Sequence, residues 1–253
     1  MRRFHAIAGM TLILALGANL ASAYEVVEVK EGGALSGTVK FVGEPPKQNP
    51  IPVKKNRDLC GDAVPSEALV LGPNKGVKHA VVWIEGITKG KKPDAPEVVL
   101  DNVKCLFAPH VLAVAVGGKA AVKNSDPILH NTHSFLEKVT VFNLALPNQG
   151  QVIDITRRLK KPGVVEIQCD AHTHMRGWLV VRGDPYFAVT DESGSFKITD
   201  IPPGKYAVVV WHESWKVTGT DKDGRPVYDK PVVITKEVTI PSKGEARVEF
   251  ELK

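Results

Sequence analysis

Aromatic residues are scarce in this 253-residue chain, at 6%, and a helical hydrophobic period is missing from everything after residue 24. With 22 glycines and 18 prolines set among valine-rich runs, that lack excludes a coiled coil and favours many short strands and turns. A content of 43% hydrophobic and 24% charged residues also excludes collagen and wholesale disorder, and the length suits one large domain or two small ones. No stretch beyond the N-terminal leader approaches the ~20 apolar residues of a membrane span. Excess charge of one sign is small: the formal net charge is +5, two units of it on Arg2 and Arg3, too mild for a nucleic-acid partner. The sequence also has no Gly-x-Ser-x-Gly, phosphate loop, dinucleotide fingerprint or paired-carboxylate motif, so it predicts a protein that is not an enzyme.

What is present begins with the leader. Arg2 and Arg3 form a positive start, residues 7–16 an apolar run, and Ala21-Ser22-Ala23 a small-residue cleavage site. This pattern predicts a signal peptide over 1–23, a mature chain starting near Tyr24, and a periplasmic or secreted protein with no stable membrane insertion. No cysteine follows the apolar run, which argues against a lipid anchor.

The rest reads as all-β. Apolar runs at 35–42, 80–84, 111–116, 164–169, 178–181, 206–211 and 246–252 are separated by Gly, Pro, Asn and Asp, the pattern of a sandwich or barrel. Basic clusters at 54–57, 89–92 and 157–161 fall between the runs and read as solvated loops. From Thr190 the chain continues Asp191-Glu192-Ser193-Gly194-Ser195-Phe196, then Pro203-Gly204-Lys205-Tyr206. This resembles the carboxypeptidase regulatory-like (transthyretin-type) β-sandwich. The opening Gly-x-x-x-Gly-x-Val of that family is matched far upstream by Gly33, Gly37 and Val39. The resemblance implies one sandwich built from 24–75 and 184–253 with a second domain, 76–183, inserted. Three consecutive pieces are the alternative.

The middle segment holds the residues with chemistry. Asn124-Ser125-Asp126 leads through a short loop to His130-Asn131, with His133 beyond. Later, 164–169 ends in Cys169 and is followed by His172, His174 and Met175 before the 178–181 run. Strand alternation puts Val165, Ile167 and Cys169 on one face and Glu166 and Gln168 on the other. A soft thiolate, borderline imidazoles and a thioether on one tight loop suit copper.

The two elements together resemble the cupredoxin family (plastocyanin, halocyanin and relatives), a Greek-key β-sandwich. The resemblance implies a mononuclear copper site with His130, Cys169, His172 and Met175 as ligands, and Asn131 tying the two ligand loops together. Only two residues separate His172 from Met175, so His174 competes for the axial role; His110 and His133 are further imidazoles. A binuclear copper centre needs a second cysteine at position 173, which is Thr. His79 is given no role, and His212 reads as structural. If Cys169 is a metal thiolate, Cys60 and Cys105 remain to form a disulfide.

The implied activity is one-electron transfer with a redox partner protein. A copper-binding or delivery protein is one alternative, an extracellular adhesion or carbohydrate-binding module with a vestigial site another, and the same Cys/His set admits zinc.

Overall fold

The protein is described by a computed structural model covering residues 24–93 and 96–253. The predicted signal peptide, 1–23, lies outside the described residues. The valine-rich runs form strands because β-branched side chains pack well on a pleated surface. Most of these strands belong to four sheets.

Strands from both ends of the chain share the first sheet. Gly33–Phe41 pairs antiparallel with Ser195–Ile201 and parallel with Glu245–Leu252. Gly37 sits where a Cβ would collide with the Val248 carbonyl and the Phe196 ring, so only glycine permits this close approach. The second sheet runs in the order Phe187–Val189, Val81–Glu85, Gly204–His212, Val232–Ile240. Leu35, Val39, Phe196 and Phe250 of the first sheet share a core with Val82, Ile84, Val208 and Val210 of the second.

The middle of the chain forms the other two. A five-stranded sheet has the order Val139–Leu146, His130–Leu136, Gly163–Gln168, Arg176–Arg182, Val111–Ala115. Its partner has the order Val152–Asp154, Ala120–Asn124, Val98–Val103, Leu106–Ala108. Leu100, Phe107 and Val122 pack here against Phe142, Ile167, Leu179 and Val181.

A third core joins the two halves. Val81, Trp83, Val209 and Trp211 meet Val111, Trp178 and Val180. Val81 and Trp83 therefore face one core while Val82 and Ile84 face another, as the two-residue side-chain period requires. Burial on both faces explains why this strand reads as a continuous apolar run.

It also corrects the expected boundary. Residues 76–183 were expected to form one unit, yet Val81–Glu85 hydrogen-bonds to Gly204–His212 and Phe187–Val189. An apolar run carries no mark of which sheet it enters. Cys60, at the end of the helical turn Arg57–Cys60, is disulfide-bonded to Cys105 as expected, and Cys169 is free and buried.

Candidate metal centre

The antiparallel neighbours Gly163–Gln168 and Arg176–Arg182 are joined by the loop 169–175, so Cys169 leaves the sheet directly from a buried strand. On the other side of Gly163–Gln168 lies His130–Leu136, in a register that pairs His133 with Gln168. That register brings His130, the first residue of its strand, level with the loop. The loop is closed by its own backbone: Met175 N–H donates to His172 O at 2.9 Å, and Cys169 N–H to Met175 O at 3.4 Å. Arg225 donates to the Cys169 and Thr173 carbonyls from outside.

His130, Cys169 and His172 converge in this pocket, with one potential ligand atom from each lying within 4.8 Å of the others. Cys169 Sγ is 3.7 Å from His172 Nδ1 and 4.0 Å from His130 Nδ1. Bonds of the lengths zinc makes to imidazole and thiolate, opened to tetrahedral or trigonal angles, set N···S separations of about 3.6–3.8 Å. The observed spacing therefore suits a single ion between the three. A second trio, Cys105, Asp126 and His130, has the same closeness, but its sulfur is spent in the disulfide.

The outer ring nitrogens explain why the inner ones are free. His130 Nε2 donates to Asp126 Oδ2 at 3.0 Å, and His172 Nε2 donates to Asn56 Oδ1 at 2.9 Å. Each bond fixes the tautomer with the proton outside and the Nδ1 lone pair toward the sulfur. Asp126 is itself held by the Lys104 and Cys105 N–H groups, at 2.7 and 2.8 Å. Asn131 N–H donates to Cys169 Sγ at 3.4 Å, and Asn131 Oδ1 accepts from Asp170 N–H at 2.7 Å, tying the two loops together.

Electrostatics favour neutral imidazoles. Burial lowers the pKa of His130 despite Asp126, and burial together with the nearby His130 and His174 lowers that of His172 to about 4. Burial raises the Cys169 thiol, against hydrogen bonds from the Asn131, His172 and Ala171 backbone and the charge of Arg225. Both nitrogens are thus ready to donate lone pairs at neutral pH, and an incoming metal would have to displace the thiol proton.

The other predicted residues have separate fates. Met175 is fully buried in the core that includes Cys169. His174, the rival for the axial role, is 4% exposed, and its Nε2 donates to the Cys105 carbonyl at 3.1 Å. Both nitrogens of His133 are taken, Nδ1 by Asp170 and Nε2 by Thr140 Oγ1 at 3.0 Å. His110 lies apart with Glu213, and His212 is buried with Nδ1 donating to the Glu213 carbonyl. A cavity of about 680 Å³ flanks the loop, lined by Thr173, His174, Arg176, Arg225 and Tyr228. None of His130, Cys169 and His172 lines it.

Sequence reasoning did not assign roles to Asn56 or Asp126. Asp126, four residues before His130, lay within the recognised motif. Asn56 lies 116 residues from His172, and no spacing rule connects them.

No family model matches the chain, and no curated protein matches it in sequence. Among solved structures, it is similar to a Cu-containing nitrite reductase from Thermus scotoductus SA-01, at 24% identity and a TM-score of 0.30. That alignment covers 36% of this chain and 23% of the reductase, so the chain spans about a quarter of that protein. A purple cupredoxin from Nitrosopumilus maritimus matches at 22% identity and a TM-score of 0.29, over 34% of this chain and 99% of the cupredoxin. The reduced Cu(I) form of an amicyanin mutant matches at 21% identity and a TM-score of 0.29, over 40% of this chain and 98% of amicyanin. TM-scores of this size are too low to establish a shared fold.

Proposed function

We propose that this chain is an exported mononuclear copper protein that transfers single electrons, with His130, Cys169 and His172 as the strong ligands and Met175 as a weak axial one. The observation that carries this reading is the convergence of two neutral imidazole lone pairs on one buried cysteine sulfur, each imidazole tied back through its outer nitrogen. A His₂Cys set beside a methionine suits copper, and copper bound there would supply a Cu(I)/Cu(II) couple.

The chain's own residues provide the rest. Asp126 and Asn56 hold the rings, and Asn131 supplies an N–H to the sulfur. The apolar core around Cys169 and Met175 keeps water out. Fixed ligands of this kind suit both oxidation states, which is what rapid one-electron exchange requires. Burial weighs against metal delivery, since His172 is 2% exposed and a carrier must offer its ligands for exchange.

The sheets built from both chain ends are read as a carboxypeptidase regulatory-like sandwich enclosing the copper unit. In its favour, Asp191 accepts from the Ser193 and Ser195 N–H groups in the turn that carried the resemblance. The electron's donor and acceptor would be partner proteins. Among the described residues, no helix is long and apolar enough to cross a membrane. The leader motif supports export. Voltammetry of copper-loaded protein tests the function: a reversible one-electron couple, absent from the metal-free protein, is expected. Bound copper without such a couple would overturn electron transfer.

A further inference from the structure

We infer that Asn56 is the positioning residue for His172, and that the Cys60–Cys105 disulfide holds it there. The inference rests on the copper reading for its consequence, but not for its geometry. Asn56 Oδ1 accepts the His172 Nε2 proton across 116 residues of sequence, from an exposed residue to a buried ring. The acceptor is presented by an unusual backbone. Asn56 has φ 55° and ψ 41°, a left-handed conformation that Asn adopts more readily than other side-chain-bearing residues. It precedes the helical turn Arg57–Cys60, whose last N–H returns to the Asn56 carbonyl at 2.8 Å.

That turn is short and buries none of its residues, so its own packing holds it weakly. The covalent tie at Cys60 runs to Cys105, which is already part of the centre. Cys105 N–H donates to Asp126, the acceptor for His130, and the Cys105 carbonyl accepts from His174. One crosslink therefore joins the holder of His172 to the holder of His130. The difference between its two ends is what makes the idea testable. Asp126 lies four residues from His130, with local partners on its own strand side, whereas Asn56 reaches the centre from a distant segment.

The test uses the metal-free full chain and follows the ring N–H signals of His130 and His172 by nitrogen-15 NMR at neutral pH. Asn56→Gly is the clean deletion, since glycine accepts the left-handed backbone without strain. Asn56→Asp keeps an oxygen acceptor and tolerates the same backbone. In Asn56→Gly, exchange of the His172 Nε2 proton should quicken about tenfold, as loss of one hydrogen bond implies. The His130 signal should be unchanged, and Asn56→Asp should restore the His172 signal. Removing both disulfide cysteines, Cys60→Ser with Cys105→Ser, should loosen His172 more than His130. Copper affinity of Asn56→Gly should fall about 10- to 100-fold, the usual loss for an orienting partner. Unchanged His172 exchange in Asn56→Gly would overturn the positioning role. Equal loosening of both rings in the double serine variant would overturn the part assigned to the disulfide. If the wild type binds no copper, the copper reading fails while the ring exchange still judges Asn56.

Discussion

Around Cys169, two buried imidazoles turn their Nδ1 atoms toward one sulfur; around Glu213, a buried imidazole turns a nitrogen toward a carboxylate. Both regions are dry and rich in histidine, yet they do different chemistry. At the first, the outer nitrogens are satisfied by Asp126 and Asn56, leaving both Nδ1 lone pairs turned toward the Cys169 sulfur. At the second, His110 Nε2 meets Glu213, its Nδ1 lies 3.7 Å from Glu67, and Arg176 approaches Glu213 at 3.3 Å. Burial disfavours a charged His110, but Glu213 overrides that and raises its pKa. Burial likewise opposes a charged Glu213, and His110 overrides it, bringing the carboxyl down to about 2. Charge is cancelled inside the second cluster, so nothing there is left over to bind a metal. A buried group of histidines is therefore read by where its lone pairs go, and their number alone says little.

Breaking the first region should have the larger consequence for function. Cys169→Ser is expected to abolish specific copper binding, because a hard, protonated oxygen replaces the soft thiolate. Ultraviolet–visible titration checks this, and a wild-type charge-transfer spectrum in the variant would contradict it. Next in size is removal of the disulfide by Cys60→Ser with Cys105→Ser. Closing a loop across a sequence separation of 45 is worth about 4 kcal/mol in the chain-entropy account, which denaturant unfolding would measure. Thiol counting on unfolded, unreduced wild type should find one free thiol, that of Cys169.

The second region should matter for stability and leave the copper spectrum alone. Glu213→Gln strands the His110 charge in the interior and should cost about 3 kcal/mol at pH 6. The wild-type pair also sets a pH window. Because the folded pKa of His110 is raised, its contribution is complete below the ordinary 6.5 and fades as pH climbs through the raised value. Because that of Glu213 is depressed, its contribution is present above the ordinary 4.5 and is lost as pH falls toward 2. The difference in unfolding free energy between wild type and Glu213→Gln should therefore be greatest between about pH 4.5 and 6.5. A smaller effect is expected from Met175→Leu. Copper should stay bound by three strong ligands while the reduction potential rises, since a weak donor is lost and the site becomes more apolar. His174→Ala should move the potential less, because His174 is engaged with the Cys105 carbonyl. The reverse ranking would make His174 the axial ligand.

Much of this arrangement was legible in the sequence, for identifiable reasons. Valine-rich runs between turn residues report strands directly, and a cysteine ending such a run with a histidine three residues later reports a loop where the two can meet. The crosslink between Cys60 and Cys105 was legible by elimination once Cys169 was set aside. The run at 80–84 misled because Val81 and Trp83 serve one core and Val82 and Ile84 another, so its pattern fits any buried strand. The burial of His174 left no local trace, because the Cys105 carbonyl that keeps it inside is 69 residues away. Asn56 was invisible for the same reason. Its role depends on a left-handed turn, a disulfide and a distant loop coming together, and none of these leaves a local pattern.

The central claim is that three residues at two neighbouring strand ends form one copper site. Titrating the metal-free protein with Cu(II) while recording its visible absorption tests it most directly. An intense thiolate-to-Cu(II) charge-transfer band that saturates at one copper per chain is the predicted result. Weak absorption without such a band, at full copper occupancy, would mean that Cys169 is not bound to the metal and would contradict the account.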